Sequence, residues 1–347
     1  MRMRFQIPMF GCLLAVCCMA AARAEQVEVH DPSMACDAGT CYVFSTGPGI
    51  TIYSSQDLTH WKWIGRVFDG EPSWARSAVP GFSGHLWAPD IFARDGRFYL
   101  YYSVSAFGKN TSAIGVAVNE TLDPDSPDYA WVDKGLVVQS VPNRDDWNAI
   151  DPAVSLDEDG RPWMAFGSFW DGIKLVRLDP SLTRLAEPQE WYSLARRQRA
   201  AATPDDKPGG GAVEAPYIFR KDGWYYLFVS FDLCCRRMNS TYKIMVGRSK
   251  SIAGPYVDKA GKPMLQGGGS LVLGGDKDWV ALGHNAAYHF DGRDWLVFHA
   301  YETADNARQK LRILAITWQD GWPAVDPADL NRNTTELVGP GPPENHH

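Results

Sequence analysis

Short apolar runs separated by turn residues recur along the chain. The clearest stretch is 214–230, where two apolar runs flank Asp222-Gly223, a pair suited to a tight turn with both central residues in the left-handed region. The same strand, turn, strand pattern recurs at 87–103 around Asp95-Gly96 and at 151–168 around Asp159-Gly160, with weaker copies opening at Asp31 and His284. Counted from Asp31, Trp87, Asp151, Glu214 and His284, the five copies are 56, 64, 63 and 70 residues apart. A hairpin that is apolar on both strands cannot cover itself, so copies at this spacing predict units that stack face to face. Five β-rich units with no helical period between them predict an all-β fold, a five-bladed β-propeller. The first strand of each blade then lies nearest the axis, and the five opening residues converge on one mouth.

The ends of the chain fall outside that pattern. Arg2 and Arg4 precede an apolar run that closes on Ala22-Arg23-Ala24, the form of a secretory signal cut before Glu25. The expected division is therefore 1–24 as signal peptide, 25–325 as one propeller domain and 326–347 as a loose tail, since periodicity fades after Asp326. Loss of 1–24 removes three arginines and no acids, which takes the net charge from −7 to −10. So acidic a chain has no electrostatic case for nucleic acid or an anionic membrane, and a secreted or periplasmic monomer is expected. It also leaves four of the seven cysteines, in two close pairs: Cys36 and Cys41 across the first hairpin turn, and Cys234 beside Cys235. In an oxidising compartment the first pair is expected to bridge; the second pair forms either a vicinal disulfide or two buried thiols.

Three of the five opening residues are carboxylates, Asp31, Asp151 and Glu214. Packing does not call for three acids around one axis, because like charges taken from water cost free energy. Cleavage of a glycosidic bond does need such a set: one protonated acid for the leaving oxygen, one carboxylate to activate water or to attack, and a neighbour that helps keep the acid protonated. Other chemistries lack their signatures. The Asp-x-Asp spacings at 123–125 and 157–159 have no EF-hand continuation, no Gly-x-Ser-x-Gly elbow occurs, and the glycines at 267–269 lack the Lys-Ser/Thr of a phosphate loop.

With these residues in hand, His30-Asp31-Pro32, residues 45–51, 85–90, 102–112 and 149–153, Glu214-Ala215-Pro216-Tyr217, 233–235 and 239–242 together resemble the arabinan endo-1,5-α-L-arabinosidases of glycoside hydrolase family 43. The likeness runs from about residue 26 to Pro323. It implies an inverting enzyme acting on arabinan, with Asp31 as general base, Glu214 as general acid and Asp151 orienting Glu214 and raising its pKa. It also implies substrate contacts at Trp87, Phe107, Gly108, Asn148, Ser168, Phe169 and Trp170. No cofactor is required for the chemistry, although His284 matches a position that holds an ion, often calcium, on the axis; a core histidine is the competing account. Other family 43 activities, β-xylosidase or α-L-arabinofuranosidase, and a non-catalytic sugar-binding propeller are the alternatives. The last would be expected to lose one of the three acids. Fructan-cleaving propellers are disfavoured because the text here reads His30-Asp31-Pro32, Ile150-Asp151-Pro152 and Glu214-Ala215.

Overall fold

Blade order follows from strands that are apolar on both faces. Along Trp224–Phe231, Tyr226 and Phe228 pack to one side while Leu227 and Val229 pack to the other; along Arg293–Glu302, Leu296 and Phe298 alternate with Trp295 and Val297. A strand side chain alternates between faces with period two, so such a strand must be covered on both sides. Each blade supplies one cover and its neighbour the other. The structure, a computed structural model, describes residues 27–332 and arranges them as the five-bladed propeller that the repeats predict.

Each blade is an antiparallel meander of four strands taken in chain order. Blade 1 runs Ser33–Asp37, Thr40–Ser45, Thr51–Ser55 and Lys62–Arg66; blade 2 runs His85–Arg94, Arg97–Val104, Ser112–Asn119 and Val132–Ser140, with the short Gly47–Pro48 added to its inner edge. Blade 3 is Ala153–Leu156, Pro162–Phe166, Ile173–Arg177 and Trp191–Ala195. Blade 4 is Val213–Lys221, Trp224–Phe231, Lys243–Ser249 and Ser270–Leu273, and blade 5 is Trp279–Phe290, Arg293–Glu302, Arg308–Gln319 and Trp322–Ala324. First strands touch one another in sequence around the axis, and the first touches the last. At Asp95-Gly96 and Asp222-Gly223 both turn residues have positive φ, as the two-residue hairpin requires. In blade 3 only Gly160 does, because a wider loop carried by the Asp157 carboxylate joins the strands.

One apolar cluster fills each gap between blades. The gap between blades 5 and 1 is filled by Trp295, Val297, Leu311 and Ile313 against Val29, Met34 and Val43. Among the described residues no strand is exchanged at this seam; besides the side chains, the Leu311 N–H donates to the Val27 carbonyl at 3.0 Å. Both cysteine pairs are bridged, Cys36 to Cys41 across the first hairpin and Cys234 to Cys235 as neighbours.

The tail needs correction. Residues 1–24, expected as a signal, and the chain from Asn333 onward lie outside the described residues, but 326–332 are not loose. Asp326 caps a short 3-10 helix, Pro327–Asn331, and Leu330 is fully buried in the cluster between blades 4 and 5. Asn331 accepts from the Trp279 indole at 2.9 Å, and Arg312 donates to the carbonyls of Asp329 and Arg332. One apolar side chain on a single helical turn carries no period, which is why the pattern misses it. Leu330→Ala is expected to cost about 2–5 kcal/mol, read as a lower urea midpoint with unchanged m; a loose tail would leave the midpoint in place.

Candidate active site

At the hub end of each first strand the backbone turns through one residue of positive φ: Asp31 (51°), Ala88 (45°), Asp151 (60°), Ala215 (53°) and His284 (51°). Four of the five precede a proline. Aspartate tolerates this conformation better than most residues, and such bends cluster where a side chain must be re-aimed. The bend also leaves an N–H facing the hub, and a side chain carried on the preceding blade, or just beyond its second strand, accepts from each one. Ala88 N donates to Thr46 Oγ1 (2.8 Å), Asp151 N to Ser103 Oγ (3.1 Å), Ala215 N to Asp151 Oδ2 (3.1 Å), His284 N to Ser230 Oγ (2.9 Å) and Asp31 N to His299 Nδ1 (3.1 Å). The five opening residues read from sequence are thus out of register with one another. Asp31, Asp151 and His284 occupy the bend, whereas Trp87 and Glu214 stand one residue before it, at the place His30 holds in blade 1. The repeat text hides this shift because Ala88 and Ala215 carry no chemistry to align.

Asp31 is buried among histidines. Its Oδ2 accepts from Thr46 Oγ1 at 2.6 Å and from His30 Nδ1 at 2.8 Å, and its Oδ1 lies 3.1 Å from His284 Nδ1. His30 is held in turn, its Nε2 2.7 Å from the Tyr301 hydroxyl and its ring stacked on His299 with centroids 4.1 Å apart. His299 Nδ1 accepts the Asp31 N–H, so this ring is neutral and its 3.5 Å approach to Asp31 Oδ1 is not an ion pair. Burial and the neighbouring His30 push His299 well below the usual histidine range, in agreement. Burial by itself would raise the Asp31 carboxyl, but His30 and His284 outweigh it and hold the group well below the usual carboxylate range. His284 would lose its proton through burial; Asp31 and Asp151 reverse that and push it up to about 9.

Glu214 and Asp151 lie on the other side of the hollow. Burial raises the Glu214 carboxyl, opposed by hydrogen bonds from Ser168, whose Oγ donates to Oε2 at 2.6 Å, and from Tyr242. Ser168 is placed by backbone pairing: it bridges to Glu214, and the Phe169 N–H donates to the Val213 carbonyl. Tyr242 is buried flat against Gly283, where any Cβ would stand 2.1 Å from the ring, so only glycine fits at this place in blade 5. Asp151 is pushed up to about 8 by burial and by Glu214 and Asp31, against the pull of His284. Its link to Glu214 runs through the Ala215 N–H that it accepts. Asp31 is therefore biased toward its ionised form, and Asp151 and Glu214 toward their protonated forms.

All three line one groove of about 1170 Å³, larger than an ordinary small-molecule pocket, and so do all eight other predicted site residues. Phe107, 83% exposed, and Gly108 form a projecting loop tip, and Trp87 is half-buried in the wall. Asn148 is buried with its Oδ1 unpartnered, an acceptor open to a hydroxyl. Phe169 is half-buried, while Trp170 is buried and donates to the Asp205 carbonyl, so it builds the rim more than it offers a surface. Ser168 was expected to meet substrate, but its hydroxyl serves Glu214. For the calcium suggested near His284, the Nδ1 of that ring faces Asp31 and both Asp31 oxygens are engaged, so the Nε2 is the ring atom that would meet an ion or its water shell. His30, His299, Thr46 and Tyr242 were not singled out as site residues. Of these, His30, Thr46 and Tyr242 had a signal in the sequence, since they fall inside the stretches that carry the family resemblance; His299 had none.

Comparison with known proteins agrees with the groove. The sequence pattern of Glycosyl hydrolases family 43 matches residues 25–323. An extracellular exo-α-(1→5)-L-arabinofuranosidase of Cellvibrio japonicus is 58% identical over 92% of each chain, and an extracellular endo-α-(1→5)-L-arabinanase of Bacillus subtilis is 42% identical over 87% of this chain and 88% of its own. The structure of a Cellvibrio cellulosa α-L-arabinanase complexed with arabinohexaose superposes with a TM-score of 0.88 at 58% identity, covering 89% of this chain and 98% of that one.

The Ser168 bond favours the charged form of Glu214. Ser168→Ala is expected to raise the Glu214 pKa further, measured by carbon-13 titration of its carboxyl; a downward shift would contradict the geometry.

Proposed function

The chain belongs to glycosyl hydrolase family 43, and on that premise we propose that it cleaves α-1,5-L-arabinofuranosidic bonds in arabinan with inversion at the anomeric carbon. The observation that carries the mechanism is the opposed bias of two carboxyls facing one groove: His30 and His284 lower the pKa of Asp31, and burial raises that of Glu214. Asp31 takes a proton from a water that attacks the anomeric carbon, while Glu214 gives its proton to the leaving oxygen. Inversion requires the two carboxyls about 6.5–9.5 Å apart with the water between. Asp151 contributes by accepting the Ala215 N–H, which fixes the peptide that carries Glu214, and by adding to the crowding that disfavours a second charge. Trp87 and Phe107 offer faces to the furanose rings and Asn148 an acceptor to a hydroxyl. No step needs a cofactor.

Among the described residues no helix is long and apolar enough to cross a membrane, and the two curated relatives are named extracellular; with the signal text at 1–24 this supports export. A second reading of the cleavage mode, attack from chain ends, is favoured by the exo name of the relative at 58% identity.

Glu214→Gln is expected to lower kcat on linear arabinan by about 10²–10⁴-fold while oligosaccharide binding, measured by calorimetry, persists; substantial turnover would place the acid elsewhere. Proton NMR of the first product should show the inverted anomer, and a retained one would remove Asp31 as a water-activating base. The same digests separate the modes: end attack releases short products from the start with little loss of viscosity.

A further inference from the structure

The Cys234–Cys235 bridge takes no part in the chemistry above, yet both residues line the catalytic groove. The Cys235 Sγ lies 3.9 Å from His30 Nε2, the ring whose Nδ1 is 2.8 Å from Asp31 Oδ2. Cys234 packs on the buried cluster of Tyr242, Ala281, Tyr301 and Ala307, which contains the hydrogen-bonding partners of His30 and of Glu214. The bridge therefore rests against the supports of both carboxyls. A ring closed between adjacent residues also removes torsional freedom from both side chains and the peptide between them, in a loop that otherwise carries exposed residues at 235–239.

We propose that the Cys234–Cys235 disulfide is a positioning element for the catalytic base: it fixes His30, and through His30 the Asp31 carboxylate, so that opening it slows turnover without emptying the groove. The inference rests on the assignment of Asp31 as base. It differs from a packing role, because Cys235 is exposed and touches His30, one of the two groove-lining histidines against Asp31. Exposure also makes the bridge open to thiol exchange. A dithiol reagent attacks one sulfur as thiolate, the S–S bond breaks to a mixed disulfide, and the second reagent thiol resolves it. The products are two cysteine thiols and the oxidised cyclic reagent, a balanced two-electron exchange. The other titratable groups facing Asp31 are His284 and His299, with Asp151 and Glu214 beyond them and Tyr301 behind His30.

The test compares native enzyme before and after dithiothreitol, with thiols counted and the fold checked by circular dichroism. The Cys36→Ala/Cys41→Ala variant isolates this bridge, and Cys234→Ser/Cys235→Ser removes it without reductant. Opening is expected to lower kcat by about ten- to a hundredfold with KM nearly unchanged, to move the acid limb of the pH profile upward as His30 loosens from Asp31, and to reverse on reoxidation. Unchanged kcat and pH profile with both thiols free would overturn the proposal, as would a loss that disappears in the Cys36→Ala/Cys41→Ala variant. Asp31→Asn keeps the two readings apart. If that variant is active, the base assignment fails; if it is inactive and reduction has no effect, only the role of the bridge fails.

Discussion

The site depends on a backbone bend at the hub, repeated five times. A residue of positive φ interrupts the first strand of each blade and points an N–H toward the axis, at a cost of about 1–3 kcal/mol for a residue with a side chain. An N–H left without an acceptor there would cost about as much again. Each is met by an acceptor from the blade before, so neighbouring blades are registered to each other at the mouth as well as through their apolar faces. Where the bend or its cap is an acid, the same geometry that satisfies the backbone delivers a carboxyl to the groove. Asp151 does both at once: it sits on its own bend and caps the next.

Charge balance then sorts the three acids. Two histidines, His30 and His284, face Asp31, and a third, His299, is kept neutral by the very hydrogen bond it accepts. Both rings lie against Asp31, whereas burial outweighs the pull of His284 at Asp151 and Glu214 and raises both carboxyls. Chemically similar carboxyls are thus biased in opposite directions, Asp31 by the imidazoles beside it and Asp151 and Glu214 by burial.

Much of this was legible in the sequence, and what was not has a physical reason. The blades could be read because each hairpin is a local pattern with an Asp-Gly turn and apolar runs on both sides. The acids could be read because charge at a strand start is unusual. The register of the mouth could not, since alanines at two bends hide the equivalence of His30 with Glu214. Nor could the partners: Thr46, Ser103, Ser230 and His299 meet their bends across blade boundaries, at separations no periodicity encodes. The bond from Ser168 to Glu214 could not be read either, because a serine beside a groove looks the same whether or not it also serves a carboxyl. Leu330 was lost because a single buried side chain on one helical turn gives no repeat.

The seam between the last blade and the first has a consequence for how the chain comes into being. Blade 1 is synthesised well before blade 5, and the apolar flank of Met34 and Val43 meets its cover only when Trp295, Val297 and Ile313 have been made. Until then that flank has nothing to pack on, so the ring cannot seal during translation, and a truncated chain is left with two sticky edges. Because no strand is exchanged there, the seam is one more joint of the ring, and a circular permutant opened between two other blades would keep every contact that defines the fold.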